Sequence, residues 1–596
     1  MLGLWAMTMA RAASSGDSLI TDYQRGLGLD VWRTGFLWES RLGSSTRLHV
    51  SETASSSRLE MTDSEAKWKD EERLAVELEH SLSPYWTWAA SGSHVFFFDR
   101  QSGFSDQIRT VLVGTGPRYA RGPIQIPIFA GYKQDHRFGI TDQGLNVRFG
   151  IECGDCNWAG YTHTGAATFE SDRLNKRTNR STGVTYQVSR EFYEQTADTL
   201  RIAYRNQRRD YYLSPAGDIE SRREETAEAE NGLTYRLGDR LRCRVSGGIT
   251  LRSLIIDPLT GGQTSGRRER RDFSAEGTAG LEWTGRKLSA SISYFQSGED
   301  QRYRSGAVAA LSGYGAALAA PDNQSELVML TFHMAWRPNG GDSVLVYSNL
   351  QRFRYDTPDP VNDDDRDEFR FHFQVSAFHR FSAELAWTGQ AEANLVHMVY
   401  IFKSRSAENN WTRIFRLNQA VRWTPSPNVS FTQTAEVLAN YAAYDYEAFF
   451  TQVRSFLFRQ FGLEDSLTVR LTPRTSISFQ YRHELDETGK FLWDEWAEQP
   501  MMDRISRTAE AEFHWRPWTR LEITPGYTFF SRRSNRSMLP AVSDPYARFL
   551  NEGPTCEIRY RGERVHAEFS LSTIATRTAG ATQRMTRADL GMGWAW

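Results

Sequence analysis

Along most of the chain, apolar and polar residues alternate one by one. The clearest run sets Leu241, Cys243, Val245, Gly247, Ile249 and Leu251 against Arg242, Arg244, Ser246, Gly248, Thr250 and Arg252. A period of two puts successive side chains on opposite faces of a strand, here one greasy and one wet. The same pattern returns at Phe273 to Trp283, Leu288 to Tyr294, Val328 to Trp336, Val429 to Tyr441 and Val565 to Leu571. Such runs cover roughly ten to fifteen residues, against a mode of about 5–6 in globular sheets. A tilted strand that crosses a bilayer and protrudes past it needs that length.

The breaks between runs point the same way. Tight turns at Ser83-Pro84, Arg121-Gly122, Gly238-Asp239, Gly285-Arg286, Asn339-Gly340, Ser426-Pro427, Pro473-Arg474, Pro517-Trp518 and Gly562-Glu563 alternate with longer polar stretches such as 357–368 and 534–544. Trp336, Trp423 and Trp515 each close a greasy face beside a turn, where an aromatic girdle meets the membrane interface. The prediction is an all-β fold, a large closed antiparallel transmembrane β-barrel with short periplasmic turns and longer external loops. At about 23 residues per strand and connection it has about 26 strands. Residues 17–596 make a single barrel domain whose first strand runs near Asp30 to Leu42. Residues 1–16 read as a signal segment with Ala10-Arg11-Ala12 as a cleavage-like triplet, although no basic stretch precedes the apolar run.

Composition narrows the classes. The chain has 596 residues, 13% of them aromatic, and a mean hydropathy of −0.55. With no run of 18 apolar residues it is not a helical membrane protein, while a barrel strand is only half apolar. A net charge of −2 gives no argument for nucleic acid as a partner. A β-propeller would repeat a signature every roughly 40–45 residues, and none occurs.

The final stretch, Met585 to Trp596, alternates Ala588, Leu590, Met592, Trp594 and Trp596 with polar or small residues. It resembles the C-terminal signal of bacterial outer-membrane β-barrels, which more often end in Phe. The resemblance implies an outer-membrane location, recognition by the barrel-assembly machinery through Trp594 and Trp596, and contact with outer-membrane lipid and lipopolysaccharide. The basic residues are nearly all Arg, which stays charged in any setting and pairs bidentately with carboxylate or phosphate.

Candidate chemistry is sparse. Cys243 and Cys556 fall on apolar faces, as small lipid-facing hydrophobes. Cys153 and Cys156 form a C-x-x-C that the alternation of connections assigns to a periplasmic turn; a disulfide stapling that hairpin and redox exchange with a partner are both open. Asn157 stands where c-type haem attachment requires His, and a tetrahedral metal site would need two further ligands. Asp363, Asp364, Asp365, Asp367 and Glu368 lie in a long loop whose oxygens suit Ca²⁺, but the spacing is not an EF-hand and a solvated loop is the simpler reading. The small apolar segment Gly306 to Ala320 either enters the lumen, meets a partner or packs as a compact loop. His566 and Glu568 share a face, which is adjacency and not a mechanism. No catalytic, cofactor-binding or metal residue is assigned, and the chain is expected not to be an enzyme.

Function then rests on the lumen. Its wet face carries charges of both signs, including Arg242, Arg244, Arg252, Glu276, Glu282, Arg337, Glu436, His566 and Glu568. In size, in being nearly all barrel, and in Cys153 and Cys156, the chain resembles the porin-like sheath proteins of porin–cytochrome electron conduits, the decahaem-associated outer-membrane barrel family. That family carries its C-x-x-C nearer the N-terminus. The resemblance implies a periplasmic multihaem cytochrome inside the barrel, with haem in the partner and none in this chain. A passive or substrate-selective porin, and a surface-display barrel, are the alternatives.

Overall fold

The computed structural model describes residues 17–595 other than 27, 61–64, 102–106, 194–195, 214–216, 260–266, 306–321, 359–362, 448–452, 493–494, 496, 537–546 and 579–580. The signal segment 1–16, the segment Gly306 to Ala320 and Trp596 therefore lie outside the described residues. The described residues fold into one antiparallel sheet of 28 strands, from β1 (Ser18–Gly26) to β28 (Ala581–Ala595). Each strand pairs with the next, and β28 returns to β1 with Ala595 opposite Ser18 and Ala588 opposite Arg25. Closure leaves no edge, which matters because every unpaired backbone group facing hydrocarbon costs several kcal/mol.

Two strands exceed the expected count, and one is at the start. The segment near Asp30 to Leu42 is the second strand, β2 (Leu29–Arg41), and β1 precedes it. β1 escaped the periodicity because its outward face mixes Leu19 and Tyr23 with Thr21 and Arg25, so neither face is cleanly apolar.

The connections sort by rim. On the rim that holds the ends of β1 and β28, connections run from two residues (122–123) to five (337–341); on the opposite rim they run from two (138–139) to seventeen (306–322). Every tight turn read from the sequence falls on the first rim, although Pro517 and Trp518 still belong to β24 (Ala497–Trp518). The turns Phe138-Gly139 and Ala159-Gly160 place both residues at positive φ, between 51° and 80°, as a two-residue hairpin turn with right-handed strand twist requires.

Faces follow the alternation. Val245, Ile249 and Leu251 of β13 (Leu241–Pro258) point outward and are 46–51% exposed, large apolar side chains left for lipid to cover. Near the short-turn rim the outward face carries Tyr235, Trp336, Trp423, Trp515 and Trp594, all exposed, which together make a girdle. Free, half-exposed Cys243 and Cys556 share this outward face, with Cys243 opposite Leu281 and Cys556 opposite Leu571. Nitroxide labels there, with the other cysteines replaced by Ser, are expected to be relaxed severalfold more by oxygen than by a water-soluble nickel chelate. A label at Ser246→Cys should show the reverse order; equal accessibility at 243 and 246 would contradict the face assignment.

Candidate functional site

The lumen wall is built by register. Directly opposed residues on neighbouring strands sit within reach of each other, and the wet faces bring acids against arginines. Arg242 reaches Glu282 of β14 (Arg268–Thr284) at 3.4 Å, and Arg252 reaches Glu224 of β12 (Ile219–Arg236) at 2.7 Å. Arg416 of β20 (Asn410–Ser426) bridges Glu392 at 3.6 Å and Glu436 of β21 (Val429–Tyr444) at 3.1 Å. Arg559 of β26 (Ala547–Arg561) lies 3.7 Å from Glu568 of β27 (Val565–Thr578). Glu276 stands across Gly248 from Glu230, and Arg244 is exposed between Thr234 and Gly280. His566 faces Gly593, where an added Cβ would fall 1.9 Å from the imidazole, so glycine gives the ring its space. Such half-exposed pairs each contribute about 0–1 kcal/mol. Their consequence is a wall of both signs in close alternation.

Three expectations need correction. Arg337 is not on the wall: the chain leaves β16 (Asn323–Trp336) one residue earlier, and the Arg337 N–H bonds to the Lys287 carbonyl at 2.7 Å on the short-turn rim. Cys153 and Cys156 are joined as a disulfide, but within β8 (Ile140–Trp158) and not in a turn. The pairing with β9 (Tyr161–Leu174) shifts between Cys153 and Cys156, so the bridge closes over a bulge near the short-turn rim. The acidic run does not stand free as a solvated loop: Arg366 pairs with Asp364 at 2.9 Å and Glu368 at 3.0 Å, and Arg405 reaches Asp364 at 3.3 Å. Among the described residues no group of three or more His, Cys, Asp or Glu is placed to hold a metal. Trp594 lies on the outward face of β28, opposite Leu19 and Val565.

One sector of the wall differs. On β15 (Leu288–Ser305), β16, β17 (Asp342–Asp356) and β18 (Arg366–Arg380), the wet face offers Ser289, Ser291, His333, Leu345, Tyr347, Gln374 and Ser376. They line a hollow of about 400 Å³ whose only acid is Glu282 at its margin. The His333 and Tyr347 rings stand 4.7 Å apart and Leu345 is 44% exposed.

Sequence reasoning also missed a buried polar knot at the long-loop rim. Arg177, 2% exposed, follows β9. Its Nε donates to Asp142 at 2.7 Å and its Nη2 to Asp135 at 2.5 Å. The Tyr212 ring lies 4.5 Å from the guanidinium, and its hydroxyl donates to Asp142 at 2.7 Å. Burial works against the Arg177 charge, but the hydrogen bonds it donates to Asp142 and Asp135 outweigh it and hold its pKa above the ordinary value. Asp142 and Tyr212 alone lie 70 positions apart. The one local sign was a pair of aspartates flanking the Phe138-Gly139 turn.

No family model matches the chain, and no curated protein matches it. Among solved structures it is similar to the alcaligin outer membrane receptor FauA from Bordetella pertussis, at 10% identity over 82% of this chain and 81% of that one, with a TM-score of 0.37. It is similar to the ferric citrate transporter FecA at 10% identity, over 97% of this chain and 79% of that one, with a TM-score of 0.36. The pyoverdine-bound FpvA of P. aeruginosa aligns at 9% identity over 97% and 71%, with a TM-score of 0.37. A closed barrel of 28 antiparallel strands, with a greasy outer face, an aromatic girdle and a wet lumen, is an outer-membrane β-barrel.

Proposed function

We propose that this barrel is a sheath whose lumen holds a folded partner protein, and that it acts by enclosing that partner and not by catalysis. Lumen width carries the reading. The 28 strands, about 4.8 Å apart and tilted by about 40°, close a ring roughly 55 Å across between backbones. A side-chain layer of about 5 Å on each wall leaves roughly 45 Å. A compact domain of about 100 residues, with a radius of gyration near 13 Å, is about 34 Å wide. A hole of that width left open would abolish the barrier function of the membrane. Among the described residues, strands pack substantially only on near neighbours around the ring.

The low-charge sector supports a docked protein. Depletion of charge with an exposed aliphatic and an aromatic pair is the composition of an interface core, and here it interrupts a wall of ion pairs. The family resemblance suggests a multihaem cytochrome as occupant, with electrons passing outward through haems of the partner.

The test is affinity purification of the tagged barrel from native outer membranes in mild detergent, read by haem absorbance and mass spectrometry. A stoichiometric haem-bearing partner is expected. Leu345→Glu is expected to weaken its retention by about 30-fold, the effect of losing a hot spot of about 2 kcal/mol, with the barrel still folded. A haem-free preparation that conducts ions across a planar bilayer would replace the sheath with a porin. A stoichiometric partner without haem would keep the sheath and remove the electron conduit.

A further inference from the structure

Register also aligns charges on the outer face. Val184 and Tyr186 of β10 (Thr178–Tyr193) and Ile202 of β11 (Thr196–Tyr212) are exposed and outward, so Arg180 and Arg208, an even number of residues away, point outward too. On β12 the outward face holds Leu233 and Tyr235, and with them Arg223. Arg180 is directly opposite Arg208, and Arg208 is directly opposite Arg223. Three arginines thus stand in one row across three strands.

Like charges directly opposed destabilise a sheet, and elsewhere on this outer face the chain neutralises them. Arg271 and Arg302 are also opposed, but Arg271 pairs with Glu269 at 2.6 Å and Arg302 with Asp300 at 2.8 Å. In the three-arginine row only Arg208 has an acid, Asp210 at 3.1 Å. Arg180 lies over the Phe169 ring at 5.2 Å, and among the described residues neither Arg180 nor Arg223 has a carboxylate partner. Glu225, next outward on β12, accepts from the Tyr204 hydroxyl at 2.6 Å instead.

Height identifies the missing anion. Arg223 is twelve residues above the girdle residue Tyr235 on the same strand. At about 3.3 Å per residue and about 40° of tilt this is about 30 Å along the membrane normal, just past an apolar band of about 25 Å. That is the headgroup level of the outer leaflet. We infer that Arg180, Arg208 and Arg223 form a site for a phosphate group of the lipid A moiety of lipopolysaccharide. The planar guanidinium fork is suited to bidentate phosphate recognition.

The full-length barrel, delipidated in detergent, is titrated with bisphosphorylated lipid A and read by native mass spectrometry. Because Arg208 also holds the buried Asp210, the main variant is R180Q/R223Q, which leaves that pair intact. It is expected to bind lipid A at least tenfold more weakly, while R271Q/R302Q on neighbouring strands binds as the parent does. Dephosphorylated lipid A should bind poorly to both, and inorganic phosphate at equal concentration should not compete. R180K/R223K, with charge but no fork, should fall between. Parent-like binding by R180Q/R223Q, or equal binding of the dephosphorylated lipid, would overturn the site. Competition by inorganic phosphate would overturn its assignment to lipid. Heat-modifiable electrophoretic mobility shows that each variant is folded before it is compared.

Discussion

An Arg177→Met barrel is expected to lose about 3–5 kcal/mol of stability, the cost of leaving buried charge without its partner. Methionine fills much of the volume, so the loss is electrostatic and not a cavity. Asp142 and Asp135, 0% and 3% exposed, would stay buried with Asp142 keeping only the Tyr212 hydroxyl and Asp135 keeping Thr110 and Arg137. The Tyr212 ring would lose the cation packed against it. The readout is the urea midpoint in detergent micelles, followed by heat-modifiable mobility. Asp142→Asn in the Arg177→Met background should recover part of the loss, because it removes the charge that the first change stranded. An unchanged midpoint for Arg177→Met would mean that the knot is surface decoration.

This knot marks the limit of what the sequence could reveal. Face assignments were legible because period two needs only the local chain: Arg242, Glu282 and Glu436 lie on the wet wall, and Cys243 and Cys556 on the greasy one. Boundaries were less so. Arg337 sits one residue past its strand because alternation does not record where hydrogen bonding stops. Cys153 and Cys156 read as a turn because a bulge breaks alternation as a turn does. Cross-strand neighbours were invisible. Asp135, Asp142, Arg177 and Tyr212 meet through four successive hairpins, and the opposition of Arg180, Arg208 and Arg223 exists only once register is known. The partner proposed for the lumen is further off still, since a wall constrains the class of surface that fits and not its identity.

Gly116→Val is expected to block closure of the barrel, whereas Gly92→Val, on the neighbouring strand, is expected to be tolerated. Gly116 belongs to β6 (Gln107–Arg121), where the ladder to β7 (Ile124–Arg137) is interrupted between Thr115 opposite Ala130 and Arg118 opposite Pro127. Pro117 and Pro127 lack the N–H that a ladder needs, and the backbones press together beside them. A Cβ on Gly116 would fall 1.9 Å from the Ile128 carbonyl oxygen and 2.9 Å from its carbon. Both obstacles are backbone, so no rotamer relieves them. Overpacking typically costs about 1–3 kcal/mol and occasionally more, and here it acts on strand pairing itself. Gly92 of β5 (Trp86–Asp99) has nothing within 4 Å of its added Cβ and faces outward, where valine suits both strand and lipid. The pair separates loss of glycine from local crowding, because both changes add the same side chain to adjacent strands. Folded fraction is read as the heat-modifiable band after refolding into detergent. Equal folding of the two variants would mean that β6 and β7 can move apart at the prolines, and the close approach would then be slack in the barrel and not a constraint on it.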